Sequence, residues 1–378
     1  MITRTGIVAG AALAGALLLA ITTAPAASAA ATPYRVVDLG TLPGHVFSDA
    51  LAVNSTGTLV AGVSGDTVTG NEAVVWRNRR IIALARLAGE DPAASNFATG
   101  VNASGVVVGG ANSVATPGCA TCVAAVRWGP NGVPSLLAPR YPGSTQASAI
   151  NDHGDIVGWA APAGGPAQPV RFVNGTVVPI LPADSSGNPA LGFANAISDR
   201  SPAADVVVGY QNTCVGTQCG FNAFAAGPPA LGGTTTLPSL PGGVGSAAYA
   251  VSADGTRAAG LVTVTNPTGA IVGRAVRWSL NRATPRPTWT VRDLGTPASS
   301  PYSIALGGNP AGTIVVGSFN NPSDPQAFWW TAAGGVRVLP VATAACNGGS
   351  QARAVDSADR IVGAGCVANG QHHALIWV

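Results

Sequence analysis

The sequence predicts an all-β fold, a seven-bladed β-propeller of four-stranded blades, and three observations carry that prediction. A segment of the form A-x-A-V-N-x-x-G-x-V-V-G recurs seven times. Each copy is followed, in fixed order, by an apolar segment that usually ends in an aromatic and by a segment of the D-L-G or L-P type. One orphan segment of that last type precedes the first copy, and the seventh copy lacks one, so the two ends complement each other.

The first residues belong to none of these segments. Arg4 gives a positive start, Gly6 to Ile21 is an apolar run, and Ala27-Ser28-Ala29 is a small-residue cleavage site. This pattern reads as a secretory signal peptide over residues 1–29, cut at Ala29 and Ala30. Residues 30–378 are then expected to form a single seven-repeat domain. Paired arginines, a cysteine beside the cleavage site and a C-terminal apolar tail are all missing. A secreted, extracellular protein without a membrane anchor is therefore expected.

The orphan segment is YRVVDLGTLPG (34–44). The copies are ALAVNSTGTLVAG (50–62), ATGVNASGVVVGG (98–110), SAINDHGDIVG (148–158), YAVSADGTRAAG (249–260) and RAVDSADRIVG (353–363), with two degenerate members at 195–209 and 304–317. Their closing glycines, Gly62, Gly109, Gly158, Gly209, Gly260, Gly317 and Gly363, lie 47, 49, 51, 51, 57 and 46 residues apart. A period near 50 with several short β-like segments per copy is the signature of a radial repeat architecture. Each repeat supplies strand a (A-x-A-V), strand b (V-V-G), strand c (AVVW, AVRW, PVRF, NAFA, AVRW, AFWW, HALIW) and strand d (for example IIALARL and TVRDLG). The segments read as four to six residues, shorter than the 9–11 or so that a membrane-spanning strand needs. The alanines of strand a suit a crowded inner strand, and the aromatics of strand c suit the space between blades. The orphan strand would close the ring as the missing strand d of the seventh blade.

The stretch AINDHGDIVGW (149–159) crowds Asp152, His153 and Asp155 together, as a metal or acid/base site would. Its sister copies replace Asp152 and His153 with Ser55 and Thr56, or with Ala103 and Ser104. What the copies share is Asn, Ser or Asp at the first turn position and, in the better copies, Gly three residues on. That is type I turn chemistry, so the stretch reads as architecture.

Taken together, A-x-A-V-N-x-x-G-x-V-V-G, H/Q-A-F/L-x-W and D-L-G-T-L-P-G resemble the bacterial extracellular HAF repeat. The triplet is approximated by His373-Ala374-Leu375, Gln326-Ala327-Phe328 and Asn222-Ala223-Phe224. The resemblance covers 34–378. It implies architecture and secretion, since the family carries no established activity.

Six cysteines, Cys119, Cys122, Cys214, Cys219, Cys346 and Cys366, form an even set in a secreted chain and suggest disulfides. Local pairs are expected, Cys119–Cys122 and Cys214–Cys219 in b–c loops and Cys346–Cys366 across the seventh repeat. All six fall on the face that carries the b–c and d–a loops, where the disulfides read equally as stapling variable loops for binding or as protecting them outside the cell.

Composition narrows the function. Only 9% of residues are charged, Lys is absent, and Glu occurs only at Glu72 and Glu90. Scattered arginines exclude a basic stripe for nucleic acid. No nucleophile elbow, zinc-protease helix or phosphate loop is present, and Glu is too scarce for an obvious glycosidase pair. No catalytic, cofactor-binding or metal-binding residue is therefore expected. The expectation is a monomeric, non-catalytic binding module for an extracellular or cell-envelope glycan or protein. A polysaccharide hydrolase or lyase and a structural envelope protein are the alternatives.

Overall fold

The computed structural model describes residues 34–378, except 67–69, 92, 202–203, 216–217, 284–285, 298–299, 321–323 and 344–348; side chains are described outside 214–219. The signal peptide and its cleavage site lie outside the described residues. Among the described residues the fold is all-β, with a single turn of 3-10 helix at Pro229–Leu231. None of its helical structure is long and apolar enough to cross a membrane.

Each repeat forms an antiparallel sheet in chain order. In repeat one the four strands are Phe47–Val53, Leu59–Asp66, Gly70–Arg77 and Arg80–Ala83. Repeats two to six give separate four-stranded sheets running from Asn96–Val101, Gly143–Ile150, Gly192–Ile197, Gly243–Val251 and Ser303–Gly308. The last repeat contributes Ser350–Val355, Ile361–Cys366 and His372–Trp377. Its missing strand is the orphan, Val36–Asp38, which pairs Val36 with Trp377, Val37 with Ile376 and Asp38 with Leu375. A parallel bridge from Phe47 to His372 joins this last group to repeat one. Every strand a touches the strand a of the next repeat, and the last touches the first. These inner strands therefore make a closed circuit.

The closing glycine has a steric cause. Strand a carries a bulge opposite it in every repeat, for example between Ala50 and Ala52 and between Ala248 and Ala250. The bulge pushes a carbonyl into the space a side chain would need. A Cβ on Gly62 would sit 2.0 Å from the Asp49 carbonyl oxygen, and one on Gly363 would sit 1.9 Å from that of Gln351. Strand b is buried on both faces, as in Ile314–Phe319, which is why it reads as a continuous apolar run.

Between sheets, two interactions repeat. Trp76, Trp128, Trp278, Trp330 and Trp377 are at most 1% exposed. Four of them donate an indole N–H to the backbone at the end of the preceding repeat's strand d. Trp76 reaches Leu39 (3.0 Å), Trp128 reaches Ala85 (2.8 Å), Trp278 reaches Pro238 (2.7 Å) and Trp377 reaches Pro340 (2.8 Å). Buried tryptophan satisfies its polar handle this way while its ring fills the core.

The second interaction uses the residue two before the strand a alanine. Ser48, Asn96, Thr145, Ser246, Ser303 and Ser350 are all buried, and each accepts the amide of a strand c residue in the preceding sheet. The donors are Ala374, Ala73, Ala125, Ala223, Ala275 and Ala327, at 2.6–3.0 Å. In repeat three the donor position is Pro169, which has no N–H, and the facing position in repeat four is Gly192, which has no acceptor. The missing donor and the missing acceptor coincide.

Some strands exceed the expected four to six residues. Val107–Thr116 and Cys119–Trp128 have ten residues each, and Ile271–Asn281 has eleven. Their hairpins keep pairing outward through polar residues beyond the apolar segment, as in Thr116 with Cys119. These strands lie in separate sheets, not in one barrel.

Ser303→Ala should lower the free energy of unfolding by about 1–3 kcal/mol, because it leaves the buried Ala275 amide without an acceptor. Pro169→Ala should also destabilise, by adding a donor where Gly192 offers nothing. Chemical denaturation of both variants checks this. A Pro169→Ala protein as stable as the parent would contradict the compensation.

Candidate functional site

The turns joining strands a and b fix one face of the molecule. Asn54 accepts the amides of Thr58 and Leu59 (2.9 and 3.1 Å), and the Gly57 amide returns to the Asn54 carbonyl at φ +66°. Asn102, Asn151 and Asn309 do the same in their repeats. Asp152 accepts from the Ser55 hydroxyl (2.8 Å) and the Ala103 amide (2.6 Å), while its own amide donates to Asp199 (2.9 Å). His153 lies 3.2 Å from Asp199, with both side chains partly exposed. Asp152 and His153 thus lace neighbouring turns together, as the repeat comparison requires. Among the described residues no cluster of His, Cys, Asp or Glu could hold a metal ion.

The turns surround a central opening of about 200 Å³, walled by Val53, Val101, Ile150, Ile197, Val251 and Val355. These residues occupy one repeat position, just before the turn. Ser55, Asn151, Asp152 and Asp199 of the turns add polar groups to this apolar ring.

The largest cavity, about 780 Å³, lies beside it on the same face, where repeats five, six and seven meet the N-terminal strand. Among the described residues, the b–c connections at 117–118, 266–270 and 367–371 on the opposite face are short turns, whereas the a–b and c–d turns leave grooves between adjacent sheets.

Two repeat positions build the cavity. The residue three before the closing glycine is apolar in most copies (Leu59, Val106, Val206, Ile314) but is Arg257 in repeat five and Arg360 in repeat seven. On strand c, the residue before the buried aromatic is Arg277 in repeat five and Trp329 in repeat six. Thr331, Ala332 and Ala333 of the next turn form the rim, and Tyr34 closes the far wall.

Tyr34 sets its ring edge-on to Trp329 (5.4 Å, 76°) and donates its hydroxyl to the Asp359 carbonyl (3.0 Å). Burial, reinforced by Asp359 and Asp356, pushes that hydroxyl up to about 12. Arg277 lies 5.0 Å from the Trp330 ring centre and Arg292 lies 5.3 Å from it, while Arg337 is 5.5 Å from that of Trp329. The Arg277 Nε and the Trp329 Nε1 are buried without hydrogen-bond partners. Burial lowers the pKa of Arg277, with Arg257 and then Arg292 adding repulsion. Arg360 is committed to the fully buried Asp356 (2.6 Å) and to the Thr56 carbonyl. Asp359 is the only Asp or Glu on the described lining.

A second cavity of about 520 Å³ lies between repeats three and four, lined by Asp155, Arg171 and Asp205. Asp205 is buried and accepts from Asn151 (3.0 Å), Ser198 (3.3 Å) and the Arg200 amide (2.9 Å), with Arg171 at 4.0 Å. Burial nevertheless keeps its carboxyl above the ordinary carboxylate range.

Of the expected disulfides, Cys119–Cys122 is formed, with Cα atoms 5.8 Å apart. Both residues lie on a strand instead of in a b–c loop, because the hairpin extends through them. Cys366 is also disulfide-bonded, and Cys346 lies outside the described residues. Cys214 and Cys219 pair as backbone neighbours, their side chains being outside the described set.

No protein-family model and no curated protein matches the chain. Among solved structures it is similar to TolB from Acinetobacter baumannii (13% identity, TM-score 0.46), covering 75% of this chain and 63% of TolB. It is also similar to a gluconolactonase from Xanthomonas campestris (15% identity, TM-score 0.38), covering 91% and 89% of the two chains. A third is AofleA from Arthrobotrys oligospora (10% identity, TM-score 0.40), covering 82% of this chain and 90% of that one.

The Tyr34 hydroxyl ionises near 10 in an unfolded chain and at about 12 in the folded one. A raised folded pKa gives stability that is complete below pH 10 and lost as the pH climbs toward 12. Tyr249 is raised to about 12 as well, chiefly by burial. Stability should therefore fall over this window, and Tyr34→Phe should fall less than the parent. Denaturation series at pH 9 and 11 check both outcomes, and equal losses in the two proteins would contradict the second.

Proposed function

We propose that the chain is a secreted HAF-type β-propeller of seven blades, closed by its N-terminal strand, that binds an extracellular or cell-envelope ligand, glycan or protein, without transforming it. The closed circuit of inner strands and the pairing of Val36–Asp38 with the last repeat support the architecture. Proposed pairings of Cys346 with Cys366 and of Cys214 with Cys219 fit a protein that works outside the cell.

The observation that carries the binding reading is the 780 Å³ cavity with aromatic walls, arginines at its edge and unpartnered buried donors. Its size and its mix of apolar wall and few polar groups are those of a ligand site. It rests on rigid sheets, and its one carboxylate side chain, Asp359, already accepts from Asn309 (2.8 Å). Such a site can hold and orient a ligand but offers no nucleophile with a base.

The test is a binding screen of residues 30–378 against glycans, cell-wall polymers and surface proteins, repeated with Ala333→Trp. Ala333 is exposed on the cavity rim, so the indole blocks the mouth without touching the core. Val173→Trp, at the second cavity, is the control. The expected result is a ligand whose binding Ala333→Trp abolishes and Val173→Trp leaves intact, with unchanged melting temperatures. Cleavage of a bound polymer would overturn the non-catalytic reading, and binding unaffected by Ala333→Trp would overturn the site.

A further inference from the structure

Several partly buried arginines of the molecule form ion pairs. Arg86 reaches Glu90 (2.9 Å), Arg274 reaches Asp293 (2.9 Å), Arg353 reaches Asp49 (3.0 Å) and Arg360 reaches Asp356 (2.6 Å). Arg257 and Arg277 are partly buried without an ion pair among the described residues. Arg277 feels the charges of both Arg257 and the exposed Arg292, while Asp254 acts on Arg257 alone. Arg257 donates to the Ala311 carbonyl (3.0 Å), and Arg277 keeps its Nε buried and unpartnered. In a chain with 9% charged residues, three arginines at one place, with Asp254 acting on Arg257 and no ion pair on Arg277, leave a net positive potential.

Two of the three, Arg257 and Arg277, line the large cavity, opposite the apolar wall of Tyr34 and Trp329. A ligand that satisfies both sides carries an anionic group at one end and an apolar ring face at the other. On the reading that this cavity is the binding site, we infer that its ligand is a carboxylated sugar. The carboxylate would take the forked N–H groups of Arg257 and Arg277, and the C–H face of the ring would rest on Tyr34 and Trp329. Planar carboxylate against guanidinium is the match that arginine makes best. The anion would also relieve the repulsion among the three arginines. A cavity of about 780 Å³ has room for a short run of sugar rings, not for one alone.

The experiment compares an oligogalacturonate, its fully methyl-esterified form and a neutral oligosaccharide of equal length by calorimetry. Esterification keeps the ring and removes the charge. The acid form should bind at least about tenfold more tightly than the ester, in keeping with a charge-assisted hydrogen bond. Arg277→Gln should bring the acid down to the level of the ester and leave the ester unchanged. Because Arg277 also packs on Trp330, Arg257→Gln, whose guanidinium reaches only the Ala311 carbonyl, is the second variant and should act the same way. Acid and ester binding alike, or neither substitution weakening the acid, overturns the inference. Absence of acid binding, together with another ligand that Ala333→Trp abolishes, overturns the carboxylate and leaves the binding reading standing. Absence of any ligand that Ala333→Trp blocks overturns both.

Discussion

The buried hydrogen bond from a strand c amide to a side chain on the next repeat's strand a is the contact on which the rest of the structure depends. A four-stranded antiparallel sheet with two apolar faces is not stable alone, and packing against neighbours is non-directional. The Ser, Thr or Asn acceptor adds direction. It fixes how far one sheet is advanced along the next, because a misplaced sheet would leave a buried amide unsatisfied at a cost comparable to a large core mutation. The junction from Ala374 to Ser48 joins the last repeat to the first. The orphan strand reinforces it, with Asp38 meeting His373 at 2.9 Å and Leu39 accepting from Trp76. The coincidence of Pro169 with Gly192 shows that the pairing acts on both partners.

Much of this was legible in the sequence, for physical reasons. Strand order, the orphan strand and the turn role of Asp152 follow from repetition, which averages away the chemistry of any one copy. The closing glycine stood out as a mark but not as a cause, because the bulged carbonyl that excludes a side chain belongs to another strand. The acceptor position went unread because Ser, Asn and Thr alternate there and Gly192 breaks the series. Aligning the residue two before each strand a alanine would have exposed it. Strand length misled for a different reason. Outer hairpin pairing involves polar residues such as Thr116 and Gln211, which carry no apolar signal.

The candidate site was not legible, since its walls come from three repeats and the N-terminal strand. Its signal lies in departures from the repeat. Arg257 and Arg360 occupy a position that is apolar in most copies, and Trp329 stands where three other repeats have Arg127, Arg171 and Arg277. Repetition encodes the scaffold, and the exceptions are where chemistry is placed. The same rule points to Asp155 and Arg171 at the second cavity, where burial already holds the nearby Asp205 above its ordinary range.

A closed circuit held by six such bonds should open as one unit, with no weak seam where the chain ends meet. Native-state amide hydrogen exchange at Ala73, Ala125, Ala223, Ala275, Ala327 and Ala374 measures this directly, since these amides are the donors between sheets. The expected result is that all six exchange with the same free energy, equal to that of global unfolding. Exchange of the Ala374 amide through a smaller, separate opening would show that the ring is not closed as a cooperative whole.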